Sequence, residues 1–391
     1  MPRLITFALF LSIMITLTGS AHYYVWSRLV RDPGLPAATT RTLSYALIFL
    51  FVAIPASLFL RRSALGGPAS ALVWLAMTWL GLLLFLTLAL GAADLLRGMW
   101  QLSRAWSNAE PLVPERRQVV ARLLAGGVAL VAGTLGLWSL RSGLGRVMVK
   151  RVEVSLSRLP PALSGTRIVQ LSDVHVGPTI HRGFIETIVE QCNALVPDVL
   201  VITGDLVDGS VDELREHVAP LANLRAKYGV FFVTGNHEYY SGAADWCSEL
   251  ERLGVRVLRN ERVSIGGEHA SFDLAGVDDH SAKGFGDGHG ENLPKALAGR
   301  DHSRELVLLA HQPRTILEAK EHGVGLQLSG HTHGGQLWPW TYLVRLQQPV
   351  VAGLARFDKS LVYVSRGTGY WGPPMRLGAP SEIAELTLRS A

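Results

Sequence analysis

"TRIVQLSDVHVG" occupies residues 166–177. Its first half is a short, nearly continuous apolar run, the pattern of a strand covered on both faces. Asp173 and His175 follow at once. The same texture recurs at "DVLVIT" (198–203), "GVFFVT" (229–234), "ELVLLA" (305–310), "GLQLS" (325–329) and "SLVYVS" (360–365). "FIETIVEQCNAL" (184–195) and "VDELREHVAPLANLRAKY" (211–228) lie between strands and carry helical periodicity. Strands alternating with helices predict an α/β layered domain.

In open α/β sheets, ligands sit outside the carboxyl ends of the strands. The first strand is followed by Asp173 and His175, the second by Asp205 and Asp208, the third by Asn236, His237 and Glu238. The fourth is followed by His311, and the fifth by His331 and His333 within "LSGHTHGGQ" (328–336). A single surface histidine is usually just solvated. Five strand ends in register, each bringing carboxylate, imidazole or amide, form a constellation.

Imidazole with carboxylate suits Zn, Fe, Mn or Ni, and the lack of thiolate disfavours a structural zinc. Cys192 and Cys247, the sole cysteines, have no metal-type spacing and read as small buried side chains. An aspartate and a histidine two apart reach one ion only if the backbone bends between them. Gly204, Gly235, Gly330, Gly334 and Gly335 supply room for close approach.

The ordered set "DVH … GDLVD … GNHE … H … GHTH" resembles the signature of the calcineurin-like metallophosphoesterase superfamily, over about residues 165–391. The wording is most similar to its bacterial membrane-anchored branch. The resemblance implies a two-sheet β-sandwich flanked by helices and a centre of two divalent metal ions. Carried over residue by residue, it assigns Asp173, His175 and His333 to one ion and Asn236, His311 and His331 to the other. Asp205 bridges both, and His237 is a catalytic histidine facing the leaving group rather than a ligand. Asp208 and Glu238 match the motif as supporting residues.

The implied reaction is hydrolysis of a phosphate ester or pyrophosphate bond. Two metals roughly 3.5–4 Å apart clamp the attacking and leaving oxygens and lower the pKa of bound water to about 7. A metal-held hydroxide is then the nucleophile, and His237 stabilises or protonates the departing oxygen. Two substrate classes stand open, a lipid or lipid-linked phosphate and a soluble nucleotide or other small phosphoester. A non-catalytic membrane sensor is disfavoured, because clustered carboxylates and imidazoles are costly to keep without a metal.

Before this region the chain has a different character. Residues 1–151 hold 15 Lys/Arg against 4 Asp/Glu, whereas the remainder is net negative. The basic residues flank apolar stretches at about 4–27, 43–60, 70–96 and 123–140. Each is near or above the ~18 residues that cross a bilayer as a helix. That places the basic charge where a membrane protein carries it, so nucleic acid is not an expected partner. The expected organisation is a membrane region of about four helices over 1–150 and a phosphoesterase domain over 151–391, in a multi-pass protein of the cell membrane. The first stretch also has a cleavable-signal reading, through "TGSA".

Sidedness is nearly balanced. Arg3, Arg61, Arg62, Arg141, Arg146, Lys150 and Arg151 lie on one side, and Arg28, Arg31, Arg41, Arg97, Arg104, Arg116, Arg117 and Arg122 on the other. Arg116 and Arg117 before the last span resemble a twin-arginine signal, which favours an extracytoplasmic catalytic domain.

Three stretches carry open readings. The polar, Gly-rich segment 279–303, with His280, His289 and His302, is a lid or an exposed insertion. Trp338, Trp340 and Tyr342 pack in a core or face lipid. Arg366 and Arg376 are available to hold phosphate.

Overall fold

A computed structural model describes residues 2–60, 67–107, 113–286 and 288–391. Arg61 and Arg62, used in weighing sidedness, lie outside the described residues. The chain divides into two compact units. One comprises residues 1–141 with 372–375, and the other residues 142–371 with 376–391.

The first unit is built from α1 (Pro2–Trp26), α2 (Ala37–Leu60), α3 (Gly67–Trp106) and α4 (Pro114–Gly143). Among the described residues, four helices are long and apolar enough to cross a membrane. The 40 residues of α3 reach about 60 Å at 1.5 Å per residue, about twice the hydrocarbon thickness. Several buried polar side chains within this unit are paired, as is expected of groups at bilayer depth. Trp79 Nε1 donates to His22 Nε2 at 2.8 Å, and His22 Nδ1 lies 2.7 Å from Thr18 O. Asp94 accepts from Tyr24 and Arg28 at 2.7 and 2.9 Å.

The second unit is two stacked six-stranded sheets. The strands are β1 (Met148–Leu156), β2 (Arg167–Leu171), β3 (Val199–Ile202), β4 (Val230–Phe232), β5 (Arg256–Val257), β6 (Glu261–Gly266), β7 (Ser271–Gly276), β8 (Leu306–Leu309), β9 (Leu326–Ser329), β10 (Gly353–Phe357), β11 (Ser360–Val364) and β12 (Glu382–Ser390). One sheet runs β1-β12-β2-β3-β4-β5 and the other β10-β11-β9-β8-β7-β6. The central strands are parallel in both. Ile168, Val199, Val201 and Phe231 of the first sheet share one buried core with Leu274, Val307, Leu309 and Leu328 of the second.

Helices cover the first sheet. They include α5 (Arg182–Ala194), which buries Ile185, Ile188, Val189 and Cys192, and α6 (Val211–Val218), which buries Val211, Leu214 and Val218. Leu293, Ala296, Ala319 and Val324 pack with Ala275, Leu306 and Leu308 as a second buried cluster. Such two-sided cover explains why these strands read as continuous apolar runs.

The helical reading of 211–228 holds only for its first part. The helix α6 opens on a capping box between Ser210 and Glu213 and ends at Val218. Pro220 then sits at the start of a 3-10 turn, Ala219–Asn223. A proline in a helix interior would remove a hydrogen bond and clash with the preceding turn.

Candidate metal centre

The candidate residues all lie on turns just beyond β2, β3, β4, β8 and β9. Gln170, buried in β2, stitches the two sheets directly beneath these turns. Its Nε2 donates to Thr203 Oγ1 at 2.8 Å and to Ser329 O at 2.9 Å. The β2 turn is laid along the β3 turn by Asp173 N donating to Gly204 O and His175 N donating to Asp205 O, at 3.0 and 3.1 Å.

The bend that the Asp-x-His spacing requires is present. Asp173, His175, Asp205, His331 and His333 all hold left-handed backbone, with φ between 50° and 69°. Among the described residues, nine non-glycine residues do so, and these are five of them. Each costs on the order of 1 kcal/mol or more, strain that persists only where surrounding structure enforces it. Gly330 is needed for a different reason. A Cβ there would collide with Ser172 Oγ and Asp173 Oδ2.

Three groups of converging donor atoms result among the described residues, and the third, His175 with Asp208 and His237, shares His175 with the first. In the first, Asp173, His175 and His333 converge. His175 Nε2 lies 3.0 Å from His333 Nε2, and His333 Nε2 lies 3.5 Å from Asp173 Oδ1. In the second, Asp205, His311 and His331 converge. His311 Nε2 is 3.1 Å from Asp205 Oδ2 and 3.2 Å from His331 Nδ1. Asp205 Oδ2 also lies 3.9 Å from His175 Nε2, so this one carboxylate faces both groups. Two buried oxygens, Asp173 Oδ2 and Asn236 Oδ1, have no hydrogen-bond partner. Buried polar atoms are ordinarily satisfied, so orphaned ones among converging imidazoles fit a cation.

Outer partners orient the rings. His311 Nδ1 sits 2.7 Å from Thr203 O, and His175 Nδ1 sits 3.1 Å from Asp208 Oδ1. Both contacts turn Nε2 toward the cluster, as expected of ligand imidazoles. Asp208 Oδ1 also lies 2.6 Å from His237 Nδ1. The Glu238 carboxylate accepts from Asp205 N, Leu206 N and Gly235 N at 3.0, 2.8 and 2.6 Å, clamping two turns together. Its burial and the nearby Asp205 charge push its pKa up to about 7.

His237 converges with His175 and Asp208 but not with the remaining members of the other two groups, and its ring centroid lies 4.7 Å from that of His175. It is the second residue of α7 (Asn236–Ser241), its N–H donates to Asp205 Oδ1 at 2.9 Å, and its side chain is 17% exposed. Burial works against its charged form. The Asp205 charge and the Asp208 hydrogen bond outweigh that and carry its pKa up to about 9. His331, by contrast, is pushed down to about 3 by burial and by the neighbouring His311. The two imidazoles thus favour opposite protonation states.

Several expectations change. Arg376 is fully buried, and its guanidinium donates to Gly369 O, Ala379 O and His333 O, so it braces the His333 turn instead of meeting phosphate. Arg366 pairs with Glu382 at 3.1 Å. In 279–303, His280 pairs with Glu291 and His289 with Arg259, and neither joins the candidate clusters. The core reading of Trp338, Trp340 and Tyr342 fails, since all three are more than half exposed. The Gly- and Pro-rich sequence of 365–376 points to a loop bordering the site, and Trp371 of that loop does border it, together with Tyr240. Tyr240 and Trp371 have ring centroids 5.4 and 5.8 Å from that of His237. Gln336 holds Trp371 through both its backbone N–H and C=O. Nothing in the local sequence marks Tyr240.

The calcineurin-like phosphoesterase profile matches residues 166–335. The chain is 34% identical over 406 residues to a transmembrane protein with metallophosphoesterase domain from Danio rerio, covering 99% of this chain and 90% of that protein. It is 46% identical over 255 residues to the Bos taurus protein of the same description. That match covers 62% of this chain and 57% of the relative, so it leaves more than a third of the relative unspanned. An uncharacterized metallophosphoesterase of Campylobacter jejuni is 31% identical over 396 residues, covering 98% of this chain and 99% of that one.

Proposed function

The chain belongs to the calcineurin-like phosphoesterases, and from that membership we propose a membrane-anchored, dimetal phosphoesterase acting on a lipid or lipid-linked phosphate ester or pyrophosphate. In this reading the membrane region covers about residues 1–150 and the hydrolase domain 151–391. Asp173, His175 and His333 hold one ion, Asn236, His311 and His331 hold the second, and Asp205 lies between them. The observation that carries it is the position of Asp205 Oδ2, within 3.9 Å of a nitrogen from each group. The orphaned Asp173 and Asn236 oxygens add to it.

When bound, two divalent ions of the Mn, Fe, Zn or Ni kind supply Lewis-acid polarisation of the phosphoryl oxygens and acidify water for attack. The chain's own residues do the rest. Hydrolysis breaks the bond from phosphorus to the leaving oxygen, and that oxygen gains a proton. His237, with Nδ1 held by Asp208, carries the transferable proton on Nε2. Asp208 stabilises the imidazolium before transfer and fixes the ring's direction. Glu238 and Gln170 hold the turns at the spacing the ions need. Among the described residues no Cys joins the converging groups, and in this reading water is the nucleophile.

The test uses the full chain in nanodiscs loaded with manganese. Elemental analysis should approach two ions per chain. Hydrolysis should be seen with a lipid pyrophosphate or lipid phosphoester in the disc. Activity confined to soluble nucleotides would move the substrate to the soluble class, and a saturated metal content near zero would sink the reading.

The paired Arg116 and Arg117 in the first turn of α4 favour a hydrolase domain outside the cytoplasm in this proposal. Alkaline phosphatase fused after residue 391 should be active. A bright green fluorescent protein fusion with inactive phosphatase would reverse the orientation.

A further inference from the structure

Five large apolar side chains stand exposed within nine residues: Trp338 at 54%, Trp340 at 52%, Tyr342 at 59%, Leu343 at 49% and Leu346 at 81%. Exposed apolar residues scattered singly need no explanation, but a contiguous group marks an interaction site. This group is held rigidly. Leu337 is buried beneath it, and Trp338 N donates to Leu377 O at 3.0 Å. Thr341 Oγ1 donates to Gly334 O at 3.2 Å, which ties the short helix Thr341–Val344 to the turn that carries His333. At the far end the buried Gln348 accepts from Arg314 N and donates to Gln312 Oε1. A segment pinned at both ends that still turns its tryptophans outward is built to meet something.

The composition says what. Trp and Tyr with an aliphatic fringe are the residues that settle at the boundary of headgroups and acyl chains. Arg345, also exposed, lies over the Tyr342 ring at 5.9 Å, a cation placed for anionic headgroups. The chain itself supplies such a surface, through four helices able to span a membrane. We propose that residues 338–346 are a bilayer-docking face. It seats Trp338, Trp340, Tyr342, Leu343 and Leu346 in the interfacial layer of an anionic phospholipid membrane and holds the neighbouring histidine turn at the lipid surface. The inference concerns where the site rests, not its chemistry, so it stands or falls apart from the hydrolase reading.

The experiment places an environment-sensitive fluorophore on Leu346→Cys in the full chain, in nanodiscs containing phosphatidylglycerol. The two native cysteines are buried and resist labelling. Glu268→Cys, exposed on the turn between β6 and β7 at the opposite end of the sheet, is the control. Emission from position 346 should shift to the blue and be quenched by lipids carrying a nitroxide near the headgroup. Neither effect should occur at position 268. Adding Trp338→Ser and Trp340→Ser to Leu346→Cys should abolish the quenching while leaving metal content unchanged. Identical emission and quenching at 346 and 268 would overturn the proposal. So would shielding at 346 that persists in detergent and grows with protein concentration, which would assign the face to a second copy of the chain.

Discussion

His22 and His175 are both buried imidazoles, and their surroundings differ in one respect. His22, in the first unit, spends both nitrogens, one on Thr18 O and the other on the Trp79 N–H. His175 spends Nδ1 on Asp208 and points Nε2 at another imidazole, beside a carboxylate oxygen with no partner. A satisfied polar group holds structure together. Convergent, unsatisfied lone pairs are costly unless something positively charged sits among them. The difference separates a structural histidine from a candidate ligand without reference to any motif.

Substitutions can break that distinction or sharpen it. The largest effect should come from Asp205→Asn, which removes the charge facing both groups. Turnover should fall by at least about 10³-fold, and elemental analysis should show loss of at least one ion. A variant that kept both ions and near-normal turnover would remove Asp205 from the centre. His237→Ala should cost about 10²–10⁴-fold in turnover while leaving both ions bound. Its deficit should shrink with substrates whose leaving group needs no proton. If it emptied a metal site, His237 would belong with the ligands.

Asp208→Asn should be milder, because it acts through two imidazoles. A loss of about 10–100-fold in metal affinity or turnover is expected, read by competition with a chelator and by initial rates. Smallest of all is Trp79→Phe, which deletes the donor to His22 Nε2. Thermal unfolding in detergent should show a loss of about 1 kcal/mol, with metal content and turnover untouched. A change in metal content there would mean that the two kinds of histidine are not independent.

Much of the hydrolase unit was legible because its central strands are apolar on both faces and each ends in polar residues. The strands that escaped notice lack that signature. β1 is mostly exposed and alternates charge with apolar residues, as an edge strand does. β12 carries Glu382 and Glu385, yet runs inside the sheet between β1 and β2. Its glutamates are tolerated there through partners far off in sequence. Glu382 accepts from Tyr363 and Arg366, and Glu385 from Arg151. The helical periodicity of 211–228 continues past the end of α6 at Val218, because apolar spacing does not register the break that Pro220 imposes. At the site, Asp208 was visible as a motif residue, but its hold on two imidazoles at once was not.

What the sequence determined by itself is local chemistry: which runs form strands, which donor types end them, and which helices are apolar enough for lipid. Those follow from hydrophobic burial and from residue type, both of which a short window contains. What only the tertiary structure decided is every relation across the stacked sheets. Asp205 faces His311 from 106 positions away, and His175 faces His333 from 158. The left-handed turns, the buried Arg376 against His333 and the outward face of 338–346 belong to the same class. Each depends on which turn packs beside which, and packing between distant segments is set by the shape of the shared core rather than by any single stretch of chain.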